Sequence, residues 1–220
     1  MPKQFTIHYA CESLIPKRTS YVTAIGICDT ATKKLTTFSM EDAQKTLGAQ
    51  HDPEALESHL LKAFFDFVAN HADAVWIHWH MHSMEYGFGV LQERFEMRCG
   101  QTAPEITARL NLPDKIFENM QNHCPEYPKI YQLFQDNGLK EHSILSGKEE
   151  AACFSAGDYA AIDHSSSAKA KALAVIYEKL QDQSLVTSCN RLELKWWTAG
   201  ILIFVAALVY IVVKGSELWR

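Results

Sequence analysis

With 220 residues and 21 Lys and Arg set against 26 Asp and Glu, the chain carries a formal net charge of −5. That acidic balance speaks against unspecific binding along a phosphate backbone, which needs a broad basic surface, although a local basic cleft stays open. The six cysteines (Cys11, Cys28, Cys99, Cys124, Cys153 and Cys189) are scattered without a C-x-x-C pair. This argues against a cysteine zinc cluster or a disulfide framework and for small apolar fillers.

Residues 4–10 alternate and are rich in strand formers, which predicts a first strand. Residues 21–28 and 35–40 predict two more, joined by the turn at 29–34, so the chain opens as an antiparallel meander. Asp52 and Pro53 open a helix whose inner face is Leu56, Leu60, Leu61, Phe64, Phe65 and Val68, ending near Asn70. The apolar run 74–79 predicts a buried strand, and its long helical connection predicts parallel placement in the sheet. Residues 86–99 predict a helix stopped by Gly100. A short strand follows within 104–112, then a helix from Pro113 through Met120. Residues 129–136 predict a short helix closed by Asn137-Gly138. Ser146 opens another helix, and Ser165-Ser166-Ser167 opens the last long one, 168–185.

Near the end, residues 196–213 run for eighteen positions without a charge, between Lys195 and Lys214. As a helix this run would be about 27 Å long at ~1.5 Å per residue, close to the ~30 Å hydrocarbon core of a bilayer. Trp196 and Trp197 at one end and Val213 at the other mark its bounds, the tryptophan rings suiting the headgroup level. The expectation is a single transmembrane helix. No charged-then-apolar leader opens the sequence, which predicts a tail-anchored arrangement on the cytoplasmic (inner) membrane, with the N-terminal domain cytoplasmic. The organisation expected is a domain over 1–190, a joint over 191–195, the span over 196–213 and a tail over 214–220. Residues 1–190 hold 17 Lys and Arg against 24 Asp and Glu, a balance of −7.

The expected class is thus α/β: a mixed sheet of antiparallel meander and parallel strands, flanked by helices and followed by the transmembrane helix. Three meander strands, a helix, a buried strand and a run of helices resemble the ribonuclease H-like fold. The local text resembles the DEDD family of 3′–5′ exonucleases across roughly residues 4–185. Tyr9-Ala10-Cys11-Glu12 stands at the family's first-strand Asp-x-Glu, and Ala24-Ile25-Gly26-Ile27-Cys28 at its second-strand motif. Residues 77–85, with Glu85 at the acid position, stand at its second acidic motif, and Pro113-Asp114 at the opening of a family helix. His164 with Ala168 or Lys169 stands at the third motif.

That family's chemistry needs four carboxylates on two Mg²⁺ or Mn²⁺ ions, which activate water and steady the leaving oxygen. Here the resemblance leaves Glu12 and Glu85, with Ala10 and Ala168 or Lys169 where the other acids belong. It implies a fold that keeps its shape and has lost its nuclease activity, with no cofactor. Asp158 or Asp163 restore an active, Mg²⁺- or Mn²⁺-dependent enzyme if the last helix is registered otherwise, and Asp114 is a further candidate acid.

Other groupings carry competing readings. His78, His80 and His82 at alternate positions, with Glu85, share one strand face toward a transition metal, or else two of them are hydrogen-bonded at a buried strand end. Trp79 and Tyr86 offer ring faces to an unpaired base, or else pack in the core, and His80 is a further ligand-binding candidate. Ser165 to Lys171 either binds an anion at a helix start or is an ordinary capped helix end.

The leading expectation is a membrane-anchored, inactive exonuclease-like domain. Its cleft, bounded by Glu12, His80, Glu85 and Lys169, with His164 as a further ligand-binding candidate, would bind a nucleotide, a nucleic-acid end or a protein partner. By architectural analogy, such a protein acts as a membrane effector in a microbial defence or toxin system. The alternatives are an active membrane-tethered exonuclease and a structural membrane partner that forms homo-oligomers through its span, where Ala199-Gly200 and Ala206-Ala207 permit close helix contact.

Overall fold

The computed structural model describes residues 2–13, 19–48, 52–120, 127–139 and 142–188. The predicted span, with Trp196, Trp197 and Val213, lies outside the described residues, as do Cys124 and Cys189. Among the described residues, no helix is long and apolar enough to cross a membrane.

Twelve elements are described in chain order. They are β1 (Gln4–Cys11), β2 (Val22–Asp29), β3 (Leu35–Ser39), α1 (Met40–Leu47), α2 (Pro53–Ala69), β4 (Val75–His78), α3 (Phe88–Cys99), β5 (Arg109–Asn111), α4 (Leu112–Met120), α5 (Ile130–Asp136), α6 (Gly147–Ala156) and α7 (Tyr159–Gln181). The strands form one sheet in the order β3-β2-β1-β4-β5. β2 pairs antiparallel with both β1 and β3, while β4 pairs parallel with both β1 and β5. Four strands therefore run one way, and β2 alone runs against them. The fold is a mixed α/β sheet flanked by helices.

The alternation of β1 explains the layering. Phe5, Ile7 and Tyr9 join Leu56, Leu60, Leu61, Phe64 and Phe65 of α2 and Leu91 and Phe95 of α3 in one buried cluster. Thr6 points to the opposite face, where its hydroxyl donates to Ala170 O of α7 at 2.7 Å. Both sheet faces are covered, so β1 and β2 carry near-continuous apolar text, as parallel sheets with two helical layers do. The α7 side is built from small residues. Ala170 and Ala174 pack on Cys28, and a Cβ on Gly26 would meet Ser166 O at 2.3 Å. A second cluster on that side gathers Ile77, Trp79, Leu112, Ile116, Leu133, Phe134, Leu173 and Ile176.

Three expectations need correction. The text after β3 turns helical at Met40, because Ser39 caps α1 by accepting from Asp42 N at 3.1 Å. The predicted strand within 104–112 shrinks to Arg109–Asn111, with Ile106 buried ahead of it. The last helix begins at Tyr159 rather than at Ser165, because Asp158 Oδ1 accepts from Ala161 N at 3.1 Å. Ser165 and Ser166 are therefore mid-helix and fully buried, and neither reading of that stretch, anion site or capped helix end, has a helix start to rest on.

Candidate functional site

Because β1, β4 and β5 are parallel, their carboxyl ends share one edge, the place where open α/β sheets bring ligands. Glu12 follows β1 there, His78 to His82 lie at and beyond the end of β4, and Asn111 to Asp114 continue from β5.

β4 ends at His78, and the chain turns so sharply that His80 adopts φ +55°. That left-handed backbone is uncommon for a residue with a side chain and needs support from its surroundings. Asn111 supplies it. Its Oδ1 accepts from His80 N at 2.9 Å, while its Nδ2 donates to Asp114 Oδ2 at 2.7 Å. The Tyr127 hydroxyl donates to Asp114 Oδ1, and the Tyr127 ring stacks on His80 with centroids 5.3 Å apart. His80, Asn111, Asp114 and Tyr127 thus form one connected polar crest. The hydrogen bonds from Tyr127 and Asn111 hold the Asp114 carboxyl below its usual range. Burial, and then the Asp114 bond, push the Tyr127 phenol up to about 12.

The turn also separates the two readings of the histidine run, since His78 takes the hydrogen-bonded strand-end place. His78 is buried, and its Nδ1 accepts from Met81 N at 3.1 Å. The His78 and His82 rings stand 6.3 Å apart, those of His80 and His82 5.9 Å, and Glu85 is exposed. Strand alternation stops at His78, so the three histidines have no common face. Among the described residues, no group of three or more His, Cys, Asp or Glu is placed to hold a metal ion. Burial, then His82, pushes the His78 imidazole down to about 4, and His80 moves the same way.

The remaining predicted site residues are dispersed. Tyr86 stacks on Tyr9 with centroids 4.3 Å apart and donates its hydroxyl to Tyr9 O at 2.8 Å. The Tyr9 hydroxyl in turn accepts from Gly87 N, which locks the loop onto β1. Trp79 is 8% exposed and belongs to the second apolar cluster. Asp158 caps α7, His164 is exposed, and Asp163 faces Thr37 and Asp42 at the β3–α1 side. Glu12 is half-buried, with its backbone N–H donated to Tyr21 O.

Lys169 is the exception to that dispersal. Its Nζ donates to Glu150 Oε1 of α6 at 2.7 Å, and the same oxygen accepts from Ser165 Oγ at 2.7 Å. Lysine and glutamate are both nearly sealed, at 2% and 6% side-chain exposure. Burial lowers the Lys169 pKa, and Glu150 holds it part of the way back. On β1, the His8 Nδ1 is buried without a hydrogen-bond partner among the described residues, and its pKa is pushed well down by burial and by the Lys169 charge. This junction of β1, α6 and α7 offers an ammonium, the carboxylate that neutralises it, an imidazole and hydroxyls. The set does not fit a pair of divalent cations, since the ammonium repels them and takes the carboxylate they would need.

Several polar partners lie outside the sequence reading. Glu57 and Arg94 are buried, with Arg94 Nε on Glu57 Oε1 at 2.8 Å and a second bond from Arg94 Nη2 to Oε2. Arg98 Nε adds 2.9 Å to Oε2, and Val22 N donates to Oε1 at 2.8 Å, so this network pins the start of β2. Glu57 lies in line with Leu60, Leu61, Phe64 and Val68 at helical spacing, a signal readable from the text. Glu150, Asn111 and Tyr127 carry no such signal. The chain matches no protein-family model and no curated protein.

Proposed function

We propose that this chain is a ribonuclease H-like domain without a two-metal nuclease centre, acting as a membrane-held module that binds a nucleotide or a nucleic-acid end at its strand-end crest. What supports the fold reading is the mixed sheet itself, an antiparallel meander continued by parallel strands. The observation that carries the loss of nuclease chemistry is the buried Lys169–Glu150 pair. A positive charge stands on α7, the helix from which the resemblance expects a metal-holding acid.

The crest supplies the binding features. His80 and Tyr127 present stacked rings beside the Asn111–Asp114 pair, Tyr127 being 39% exposed. Stacking of a base on such a platform is worth ~1–3 kcal/mol per base and is largely indifferent to sequence. The uncharged run 196–213 would hold the domain at the cytoplasmic face of the inner membrane.

The test uses the full chain in detergent, incubated with labelled single-stranded DNA and RNA in Mg²⁺ or Mn²⁺. Retention without shortening, weakened by His80→Ala, is the expected result. Shortening that disappears in the Glu12→Ala, Glu85→Ala double variant would establish the active exonuclease instead. Extraction of the protein from membranes by alkaline carbonate would remove the span from the account.

A further inference from the structure

Arg109 and Asn111 stand two apart on β5, so their side chains share one face of the sheet, ~7 Å apart at ~3.3 Å per residue. Asn111 belongs to the crest. Arg109 instead lines a cavity of about 320 Å³, together with Met81, His82, Gly89, Val90 and Glu93. His82 joins the two places, since its ring lies 5.9 Å from that of His80. A ligand that stacks on the crest therefore has this cavity within one nucleotide's reach.

The Arg109 guanidinium is held in place with most of its donors open. Its Nε donates to Ile106 O at 2.6 Å, and its central carbon lies 4.9 Å from the centre of the Phe88 ring. Neither Nη1 nor Nη2 has a hydrogen-bond or ion-pair partner among the described residues. Two such donors match the paired oxygens of a phosphate, and a guanidinium already held loses less freedom when it binds. Glu93, the acid among the described lining residues, has a partner of its own, which leaves Arg109 as the open charge. The exposed His82 imidazole adds an N–H donor at the mouth. The volume is at the lower end of the ~300–1,000 Å³ of ligand pockets, which suits a compact anionic group. A phosphate inside a strand carries one charge, whereas a terminal monoester carries about −1.5 to −2 and three free oxygens. Two arginine donors and an imidazole donor answer those three oxygens.

We propose that this cavity takes the terminal phosphate of a strand whose end base lies on the His80 and Tyr127 rings, with Arg109 on two phosphate oxygens and His82 on the third. This rests on the nucleic-acid-end reading above and adds which chemical end is recognised, a phosphorylated terminus over a hydroxyl one. A 5′ and a 3′ phosphate present the same monoester, and the experiment separates them.

The experiment measures dissociation constants of the full chain in detergent, at one fixed salt concentration and with EDTA present so that no strand is cut. The probes are one single-stranded DNA with a 5′ phosphate, with a 3′ phosphate, or with hydroxyl groups at both ends. The expected result is one phosphorylated end bound about tenfold or more tighter than the hydroxyl end, and that end gives the polarity. Arg109→Gln should bring the ratio below about two while the hydroxyl-ended strand binds as before, which also shows that the variant folds. Arg109→Lys keeps the charge without the paired donors and should keep only part of the ratio. Gly89→Glu approaches from the other wall: a Cβ there meets nothing within 4 Å, so the added carboxylate has room and should abolish the preference by repulsion. Equal affinity for all three ends overturns the subsite, and so does a preference that survives Arg109→Gln or Gly89→Glu. If the strands then still bind in a His80-dependent way, the crest reading stands without it. If no strand binds, both readings fall.

Discussion

The Lys169 ammonium stands 2.7 Å from Glu150 Oε1, and Ser165 donates to that same oxygen from one turn earlier on α7. One carboxylate thus ties α6 to α7 beneath the sheet, and neither charge reaches water. Burial of an ion pair contributes little net stability, but removal of one partner strands the other. Lys169→Met should therefore cost about 3–5 kcal/mol, read as a shift of the urea midpoint. Lys169→Met with Glu150→Leu should cost clearly less than the single change. A single variant as stable as the parent would mean that the pair is not formed in solution.

Gly26 lies where α7 crosses β2, and a methyl group there would sit 2.3 Å from Ser166 O, a backbone atom that cannot swing away. Gly26→Ala should cost at least ~1–3 kcal/mol through forced separation of helix and sheet. Gly89 in α3 has nothing within 4 Å of a built Cβ and is the matched control. Gly89→Ala should be neutral or stabilising by up to ~1 kcal/mol from helix propensity. Equal effects at the two positions would refute the close packing of α7.

The buried His78 ring makes stability depend on pH. Its pKa falls from 6.5 to about 4 on folding, chiefly through burial. The unfolded chain then binds the extra proton between those values, so the contribution is fully present above 6.5 and drains away as pH falls through about 4. At ~1.4 kcal/mol per pH unit, the loss is on the order of 3 kcal/mol. His8 acts in the same direction. His78→Asn, which keeps an acceptor for Met81 N, should flatten the acid limb measured by denaturation at a series of pH values. An unchanged slope would show that His78 is not the titrating group.

At the crest, the Tyr127 phenol should titrate near 12, raised by burial and then by its bond to Asp114. Asp114→Asn removes the charge and should bring the phenol part of the way back toward 10, burial keeping it above that, followed by phenolate absorbance against a Tyr127→Phe reference. The same variant loosens the support of His80 through Asn111, so strand binding should weaken about two- to tenfold, up to ~1.4 kcal/mol. A phenol that titrates at its usual value in the parent would dissolve the crest as a connected unit.

Much of the architecture was legible because it depends on local periodicity. Alternation marked β1, the stripe from Leu56 to Val68 marked α2, and the long helical link marked β4 as parallel. The start of α7 was misread because three serines look like a cap, whereas Asp158, seven residues upstream, holds the first turn. α1 was missed because Ser39 and Met40 continue the text of a strand, and the cap decides between the two. Which of the two histidine readings holds was not legible for a related reason, since period-two alternation lasts only while a chain stays extended, and this one turns after His78.

The text alone determined the type and order of every element but α1, the acidic balance, and the uncharged run 196–213, all of which follow from residue chemistry read within a few turns. The tertiary structure decided which charges meet. Lys169 with Glu150, Glu57 with Arg94, and Tyr127 with His80 and Asp114 are separated by 13 to 47 positions, and nothing in local spacing pairs them. Such pairs form because packing forces buried charges and donors to find partners, and the partner is whichever side chain the opposing element brings near.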